Sequence, residues 1–232
     1  MLAAQDAGAG HAPDFRAQER IAPLYFQPKP SAPFSAIANT TWVRTLPDGS
    51  TETHENARAV ARDNFGRVYQ ERRTFVPVPD PNNQKTEAYA TQYDDPLKRV
   101  TYRCIVAMRT CNAFPLSVPP LQDIPAGLQP DKTTFLTREN LGKDTIEGID
   151  VLHTRETYTF YSASKGNSKT ILRTIEYWYS PRLAVNLKVV RHDPRDGDQT
   201  LWLTEIAQTA ADEKWFQVPA DYRIVDLGQP TP

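Results

Sequence analysis

The clearest pattern along the chain is an alternation of apolar and polar residues with a period of two, which is typical of β-strands with one buried face. In one segment near the C-terminus, every second residue is a large aliphatic: Leu183, Val185, Leu187 and Val189. Weaker runs of the same kind occur along most of the chain. Together they predict strands over Phe34–Thr45, Thr51–Arg62, Arg67–Phe75, Glu87–Tyr93, Val100–Ile105, Thr110–Phe114, Thr145–Asp150, Val151–Tyr161, Thr170–Tyr179, Leu183–Val190 and Gln199–Gln208.

Turn signals separate these runs. Leu46-Pro47-Asp48-Gly49 follows the first predicted strand, and Asp63-Asn64-Phe65-Gly66 follows the second. Short turns of this composition join antiparallel neighbours. We therefore predict a mainly β fold, in which an antiparallel sheet curves around a covered core.

The segments between the runs predict little helix. Residues 115–143 are Pro-rich and poorly periodic, and we predict a long covering loop there. Short helices are predicted over Leu121–Leu128 and Thr209–Trp215. The domain prediction is an extended N-terminal arm over residues 1–33, one antiparallel β domain over residues 34–226 and a tail over residues 227–232.

The two cysteines, Cys104 and Cys111, flank the turn of one predicted hairpin. A hairpin would place the two thiols opposite each other, so a disulfide is the favoured interpretation, and it implies an oxidising compartment. Buried free thiols are the alternative. A metal or redox role is disfavoured, because zinc needs four ligands and a redox motif needs a two-residue spacing.

Charge and length exclude several classes of protein. The 232 residues carry 27 basic and 28 acidic side chains, for a net charge of −1. This balance lacks the positive field of a nucleic-acid-binding protein. No apolar run approaches the ~20 residues of a transmembrane helix, so we predict no transmembrane segment.

The N-terminus, Met1-Leu2-Ala3-Ala4-Gln5, resembles the end of a signal peptide that has been removed. An ordinary cytosolic start is the alternative interpretation. Together with the predicted disulfide, this start favours an exported protein that lies in the periplasm or outside the cell.

Motifs that would carry catalysis are missing. The sequence has no His-Glu-x-x-His metal motif, no Gly-x-Ser-x-Gly elbow and no Gly-rich phosphate loop. His192 lies beside Asp193, but Asp193-Pro194 is better explained as a turn. We therefore predict no catalytic residue, no metal, no cofactor and no enzymatic activity.

Aromatic residues are the better candidates for a binding site. Seven of them fall within predicted strands: Trp42, Tyr69, Tyr89, Tyr158, Phe160, Trp178 and Trp202. Core packing would explain most of them. The functional interpretation is that they line a ligand cavity inside the curved sheet.

The order of several short motifs resembles a known group of proteins. The motifs are Leu46-Pro47-Asp48-Gly49-Ser50, Arg62-Asp63-Asn64-Phe65-Gly66-Arg67, Leu141-Gly142, Ile146-Glu147-Gly148, Glu176-Tyr177-Trp178-Tyr179-Ser180-Pro181, Leu183-Ala184-Val185, His192-Asp193-Pro194-Arg195, Leu201-Trp202-Leu203-Thr204-Glu205-Ile206 and Phe216-Gln217-Val218-Pro219-Ala220-Asp221-Tyr222. Over roughly residues 33–225 the chain resembles uncharacterised exported bacterial proteins that are similar to the periplasmic lipoprotein-carrier and lipoprotein-receptor half-barrels. The resemblance implies a half-barrel whose mouth is closed over an apolar cavity. It implies no catalytic residue.

We therefore predict a periplasmic or outer-membrane-associated binding or carrier protein for a lipid, a lipoprotein or another apolar ligand. A sensor or protein–protein interaction domain of the cell envelope, with another envelope protein as partner, is the first alternative. A hydrolase whose site converges from distant residues is the second.

Overall fold

The computed structural model describes residues 24–80, 87–118, 124–162, 166 and 168–226. These ranges contain β-strands and one short 3₁₀ helix, Glu213–Phe216. The strands are β1 (Phe34–Thr45), β2 (Thr51–Arg62), β3 (Val68–Arg73), β4 (Val76–Val78), β5 (Ala88–Asp95), β6 (Val100–Ile105), β7 (Thr110–Pro115), β8 (Gly127–Leu128), β9 (Thr134–Ile146), β10 (Ile149–Phe160), β11 (Ile171–Ser180), β12 (Val185–Asp193), β13 (Gly197–Ala207) and β14 (Arg223–Asp226).

The chain divides into two compact units. Unit 1 includes Leu121–Thr200, and unit 2 is built from Phe26–Pro120 and Leu201–Pro232. The hydrogen-bonded strand order in unit 1 is β13-β12-β11-β10-β9-β8, and in unit 2 it is β14-β7-β6-β5-β3-β2-β1-β13, with β4 paired to β2. Strand β13 contributes residues 197–200 to unit 1 and residues 201–207 to unit 2. The predicted fold class, a mainly β protein with a curved, unclosed antiparallel sheet, is confirmed.

The hairpin of β1 and β2 shows how the sequence specifies the strands. The two strands pair without a break from Phe34 opposite Arg62 to Thr45 opposite Thr51, as the alternation predicts. Gly49 supplies the positive φ of the turn, +85°, which a residue with a side chain rarely adopts. The Asp48 carboxylate accepts a hydrogen bond from the Ser50 amide at 2.9 Å.

In unit 2, a small core lies against one face of β5, β6 and β7. Tyr93 packs with the buried sulfur atoms of Cys104 and Cys111, and Val218 and Tyr222 of the C-terminal segment pack against this cluster. The C-terminal segment then continues as β14, which pairs in parallel with β7. Residues after β13 therefore cover this part of the sheet.

The start of the C-terminal segment is anchored by the 3₁₀ helix. Arg67 donates two parallel hydrogen bonds to Glu213, both at 2.7 Å. Trp215 meets the Tyr69 ring edge to face, with 5.3 Å between the ring centres. Asp212 caps the helix by accepting from the Lys214 amide.

In unit 1, the core residues come from the central strands. Leu136 of β9, Ile175 and Tyr177 of β11, and Leu187 of β12 are all at most 2% exposed. Their burial follows from the alternation that predicts these strands. One side of the sheet is therefore tightly covered at its centre.

The prediction of a long loop over residues 115–143 is wrong for the second half of that range. Strand β9 begins at Thr134 and runs through most of that half. From Thr137 to Thr145 almost every residue of β9 is exposed, so the strand lacks the alternation of buried residues that would reveal it. Residues 119–123 of the predicted loop lie outside the described residues.

Three smaller predictions are also wrong. The strand predicted over Thr145–Asp150 is interrupted, because Glu147 and Gly148 adopt positive φ values of 47° and 73° and turn the chain between β9 and β10. The helix predicted over Leu121–Leu128 ends in a strand, β8, and its residues 121–123 lie outside the described part. The helix predicted over Thr209–Trp215 is reduced to the 3₁₀ turn Glu213–Phe216, which ends at Gln217 in extended backbone two residues before Pro219.

The termini are described only in part. Residues 1–23, which include the signal-peptide-like start and most of the predicted arm, and the predicted tail 227–232 lie outside the described residues. Of the arm, Leu24 and Phe26 are buried. Arg62, whose side chain is fully buried, donates hydrogen bonds to the carbonyl oxygens of Ala32 and Gln27.

Candidate functional site

One side of the sheet in unit 1 carries an arginine held between aromatic rings. Tyr158 of β10 and Arg173 of β11 are directly opposite each other, and such cross-strand pairs lie on the same face. The guanidinium carbon of Arg173 lies 4.3 Å from the centre of the Tyr158 ring and 5.6 Å from that of Phe160. These distances allow cation–π attraction. We call the side of the sheet that carries Tyr158, Phe160 and Arg173 the Arg173 face.

Arg173 makes no ion pair on this face, although its charge acts on Asp193. Among the described residues it makes no hydrogen bond, and its Nε, which is shielded from solvent, has no acceptor. A buried donor without an acceptor costs about 1–3 kcal/mol. An anion that accepted from this guanidinium would recover that cost, so Arg173 is the strongest candidate for a ligand contact.

The neighbouring carboxylate is already neutralised. Glu156 is 2% exposed and accepts hydrogen bonds from Nε and Nη2 of Arg138 at 2.9 and 2.7 Å. The Tyr158 hydroxyl also donates to Glu156, at 2.9 Å. These donors hold the Glu156 carboxylate in place, and the same hydroxyl contact orients the Tyr158 ring under Arg173.

A second ion pair lies at the other end of this face. Arg195 donates to Asp193 from Nε at 2.9 Å and from Nη2 at 2.6 Å, and its guanidinium carbon lies 4.6 Å from the centre of the Phe160 ring. Burial acts to raise the pKa of Asp193, but the hydrogen bonds from Arg195 and the charges of Arg195 and Arg173 hold that pKa below its ordinary value. Asp193 is therefore ionised at neutral pH and balances Arg195.

The other side of the same two strands, which we call the Trp178 face, carries a different cluster. Trp178 stacks on His153 with 4.0 Å between ring centres, and the Lys188 ammonium lies 4.6 Å from the Trp178 ring. Glu176 accepts from His153 and from Arg155, each at 2.9 Å. Burial acts to raise the pKa of Glu176, but these hydrogen bonds hold it below its ordinary value.

The seven aromatic candidates from the sequence are distributed over both units. In unit 1, Tyr158 and Phe160 come together on the Arg173 face, whereas Trp178 lies on the opposite side of the same strands. That these residues line a ligand cavity stays a prediction.

The other four candidates belong to unit 2 and have different surroundings. Trp42 is buried opposite His54, and Tyr69 packs against Tyr93 and Trp215. Trp202 alternates with the buried Leu201 and Leu203, and Tyr89 is 47% exposed. Core packing accounts for Trp42 and Tyr69, and Tyr89 lies at the surface.

A cleft of about 560 Å³ lies elsewhere in unit 1. It is bounded by the β9–β10 hairpin and by the turn after β11, where Pro181 and Arg182 lie. None of the seven aromatic candidates lines it. The residues that line it include Lys143, Asp144, Asp150 and Arg182, so the cleft has charges of both signs.

The predicted disulfide is confirmed. Cys104 of β6 and Cys111 of β7 are directly opposite each other, and their sulfur atoms are bonded. Both side chains are fully buried. The bridge therefore pins the β6–β7 hairpin one residue pair away from its turn.

Neither a metal-binding cluster nor a membrane-spanning helix occurs among the described residues. They contain no group of three His, Cys, Asp or Glu side chains arranged to hold a metal ion. They also contain no helix with the length and apolar character needed to cross a bilayer.

Sequence reasoning missed Arg173, Glu156 and Arg138. Each is a charged residue within a strand, and from the sequence such residues are expected on a solvated face. The sequence contained one usable signal for this site. The spacing of Glu156, Tyr158 and Phe160 places the three side chains on the same face of their strand. The partner strand and its register, which bring Arg173 opposite Tyr158, were not readable from the sequence.

No known sequence family and no curated protein matches the chain. Among solved structures, an uncharacterised conserved protein from Thermus thermophilus is 14% identical, with 84% of this chain and 91% of that chain covered and a TM-score of 0.42. MucB in the Pseudomonas aeruginosa MucA/MucB complex is 13% identical, with 85% and 62% covered and a TM-score of 0.37. The chain thus spans less than two thirds of that MucB.

A putative outer membrane lipoprotein-sorting protein domain from Vibrio parahaemolyticus is 9% identical, with 79% of this chain and 88% of that chain covered and a TM-score of 0.29. Lipoprotein and lipoprotein-sorting structures are therefore among those similar to the chain, in agreement with the resemblance noted in the sequence. At these identities, no residue role is transferred from these proteins.

Proposed function

We propose that the chain is an exported, non-enzymatic binding or carrier protein for an amphipathic ligand, one that joins an apolar chain to an anionic group. The ligand's anionic group would be bound by Arg173, and its apolar part would lie along Tyr158 and Phe160. The observation that carries the proposal is the half-buried Arg173, which stacks on two aromatic rings and makes no hydrogen bond or ion pair among the described residues.

The charges around Arg173 support an anionic rather than a cationic ligand. Arg138 neutralises Glu156, and Arg195 neutralises Asp193. The uncompensated charge on the Arg173 face is therefore positive. A guanidinium presents several N–H donors in one plane, which suits a carboxylate or a phosphate.

The aromatic rings support a ligand with an apolar part. Tyr158 and Phe160 present their faces to arginine side chains. Phe160 is already buried, so an apolar chain laid along the pair would bury additional surface mainly at Tyr158, at roughly 25 cal/mol per Å². A fatty acid, an acylated lipoprotein segment or a phospholipid has both parts.

The Cys104–Cys111 disulfide supports the proposed location in the cell envelope. A bridge between Cys104 and Cys111 persists in an oxidising compartment such as the bacterial periplasm or the extracellular space. This supports a binding activity in the cell envelope.

A fluorescent fatty acid and its methyl ester test the proposal, because they share the chain and differ in charge. We expect the wild-type protein to bind the acid more tightly than the ester. Arg173→Met keeps the bulk of the side chain and removes its charge, so the preference for the acid should fall about tenfold, the loss of about 1.4 kcal/mol expected for a charge-assisted hydrogen bond.

Arg155→Met is the matched control, since Arg155 lies on the Trp178 face and pairs with Glu176. Its affinity for the acid should equal that of the wild type. Equal binding of acid and ester by the wild type, or equal losses in both variants, would refute the Arg173 site.

A further inference from the structure

The turn of the β6–β7 hairpin is unusually apolar for its exposure. Four consecutive residues, Ile105-Val106-Ala107-Met108, lead into it, whereas hairpin turns favour Gly, Asn and Asp. Ile105 is 43% exposed and Met108 is 70% exposed. Tyr89, 47% exposed, lies beside them, because its carbonyl accepts from the Val106 amide at 3.1 Å. We call residues 105–110 together with Tyr89 the hairpin tip.

The hairpin tip is held in this exposed position. The Cys104–Cys111 disulfide lies one residue pair below the turn. Within the turn, the amides of Met108 and Arg109 donate to the carbonyls of Ile105 and Val106, both at 3.2 Å. On the outer edge, the Arg223 amide of the C-terminal segment donates to the Arg109 carbonyl at 2.9 Å. These bonds therefore hold the backbone of the tip in place.

Basic residues lie beside the tip. The β6–β7 hairpin, residues 100–115, contains Arg103 and Arg109 and no Asp or Glu. Arg103 and Arg223 are exposed beside the tip. Arg109 is 70% exposed and meets Asp221 at 3.4 Å, an exposed ion pair that contributes little stability and is easily exchanged for another anion.

We propose that the hairpin tip docks on the surface of a bilayer that contains anionic lipids. Ile105 and Met108 enter the boundary between headgroups and acyl chains, Tyr89 lies at the level of the headgroups, and Arg103 and Arg109 meet lipid phosphates. This distribution of aliphatic, aromatic and basic side chains is the one that favours the membrane interface. The proposal uses residues of unit 2 and does not depend on the Arg173 site.

A bilayer fits the tip better than a folded protein partner. A stable protein interface buries about 1,600 Å² in total over a broad, complementary surface. The tip instead presents three large side chains at the narrow end of a hairpin. A fluid surface accommodates such a projection without a complementary pocket.

Co-sedimentation with lipid vesicles tests the proposal. The full chain should sediment with vesicles of phosphatidylglycerol and phosphatidylcholine, and far less with phosphatidylcholine alone. Added salt should weaken the binding, because it screens the arginines. The double variant Ile105→Ser, Met108→Ser should lower the partition coefficient about tenfold or more, because two side chains lose their burial in the boundary.

Leu97→Ser is the matched control, since Leu97 is 66% exposed in the turn at the opposite end of β6. It should sediment like the wild type. As a second measurement, Met108→Trp should show a blue-shifted emission increment with anionic vesicles, and Leu97→Trp should not. Absence of wild-type binding to anionic vesicles, or an equal loss in Leu97→Ser, would overturn the proposal.

Discussion

The two faces of the β10–β11 pair carry similar aromatic and charged side chains, but they differ in how the charges are balanced. On the Trp178 face, the Trp178 ring lies between His153 and Lys188, and Glu176 accepts from both His153 and Arg155. On the Arg173 face, Arg173 stacks on Tyr158 but makes no ion pair among the described residues. Both faces therefore stack cations on aromatic rings, and they differ in whether a carboxylate completes the cluster.

The difference separates a structural cluster from a candidate ligand site. Cations on the Trp178 face have a carboxylate within reach, so the cluster is complete without a ligand. Its members are partly solvated, so each contact contributes little. The Arg173 face is more buried, which raises the cost of every unmatched charge. An arginine that makes no ion pair in such surroundings suits an anionic ligand better than a structural role.

The largest difference between the faces should appear when a carboxylate is neutralised. Glu156→Gln leaves Arg138 and Tyr158 without their acceptor in a buried site, and we expect a loss of about 3–5 kcal/mol in the free energy of unfolding. Glu176→Gln on the Trp178 face should cost about 1 kcal/mol or less. Urea unfolding of both variants measures this. Similar losses would show that the two faces are equally solvated.

Asp193→Asn should give a smaller and pH-dependent effect. Because the folded-state pKa of Asp193 lies below its ordinary value of 3.8, its ion pair stabilises the fold above that pH, and the contribution is lost as the pH falls through the lowered pKa. We expect a loss of about 2 kcal/mol at neutral pH. Unfolding curves in progressively stronger acid should show the wild type and the variant converging. A pH-independent difference would contradict the assignment.

Arg173→Met should weaken ligand recognition while it leaves the stability of the fold almost unchanged. The wild-type guanidinium makes no ion pair and acts on Asp193 only at longer range. The free energy of unfolding should therefore fall by less than about 1 kcal/mol, while the preference for the fatty acid over its ester falls about tenfold. Unfolding and probe titration on the same preparation measure both. A large loss of stability would mean that Arg173 is a structural residue.

The smallest effect is expected from Trp178→Phe. This change keeps a ring over His153 and removes the hydrogen bond from the indole N–H to Asp144, which is 3.1 Å long and exposed. The free energy of unfolding should fall by about 0.5 kcal/mol, and fatty-acid binding should not change. Altered probe affinity in this variant would place part of the ligand site on the Trp178 face.

Local sequence patterns were sufficient to predict most of the fold. The alternation in β1 and β2 predicted both strands to the residue, and the position of Cys104 and Cys111 on either side of one turn predicted their bridge. These features depend on neighbours in sequence, since strand periodicity and turn chemistry act over a few residues. The sequence did not predict strand β9, because its exposed stretch has no buried side and therefore no alternation of apolar and polar residues.

The candidate site depends on contacts that no local pattern contains. Tyr158 and Phe160 were candidates from the sequence, but so was Trp178, and only the pairing of β10 with β11 separates them onto opposite faces. The same register places Arg173 over Tyr158, and the pairing with β9 supplies Arg138 to Glu156. A charged residue in a strand looks the same in sequence whether it faces water or an aromatic ring. Its role is set by which strand lies beside it, because burial and counter-ions come from residues distant along the chain.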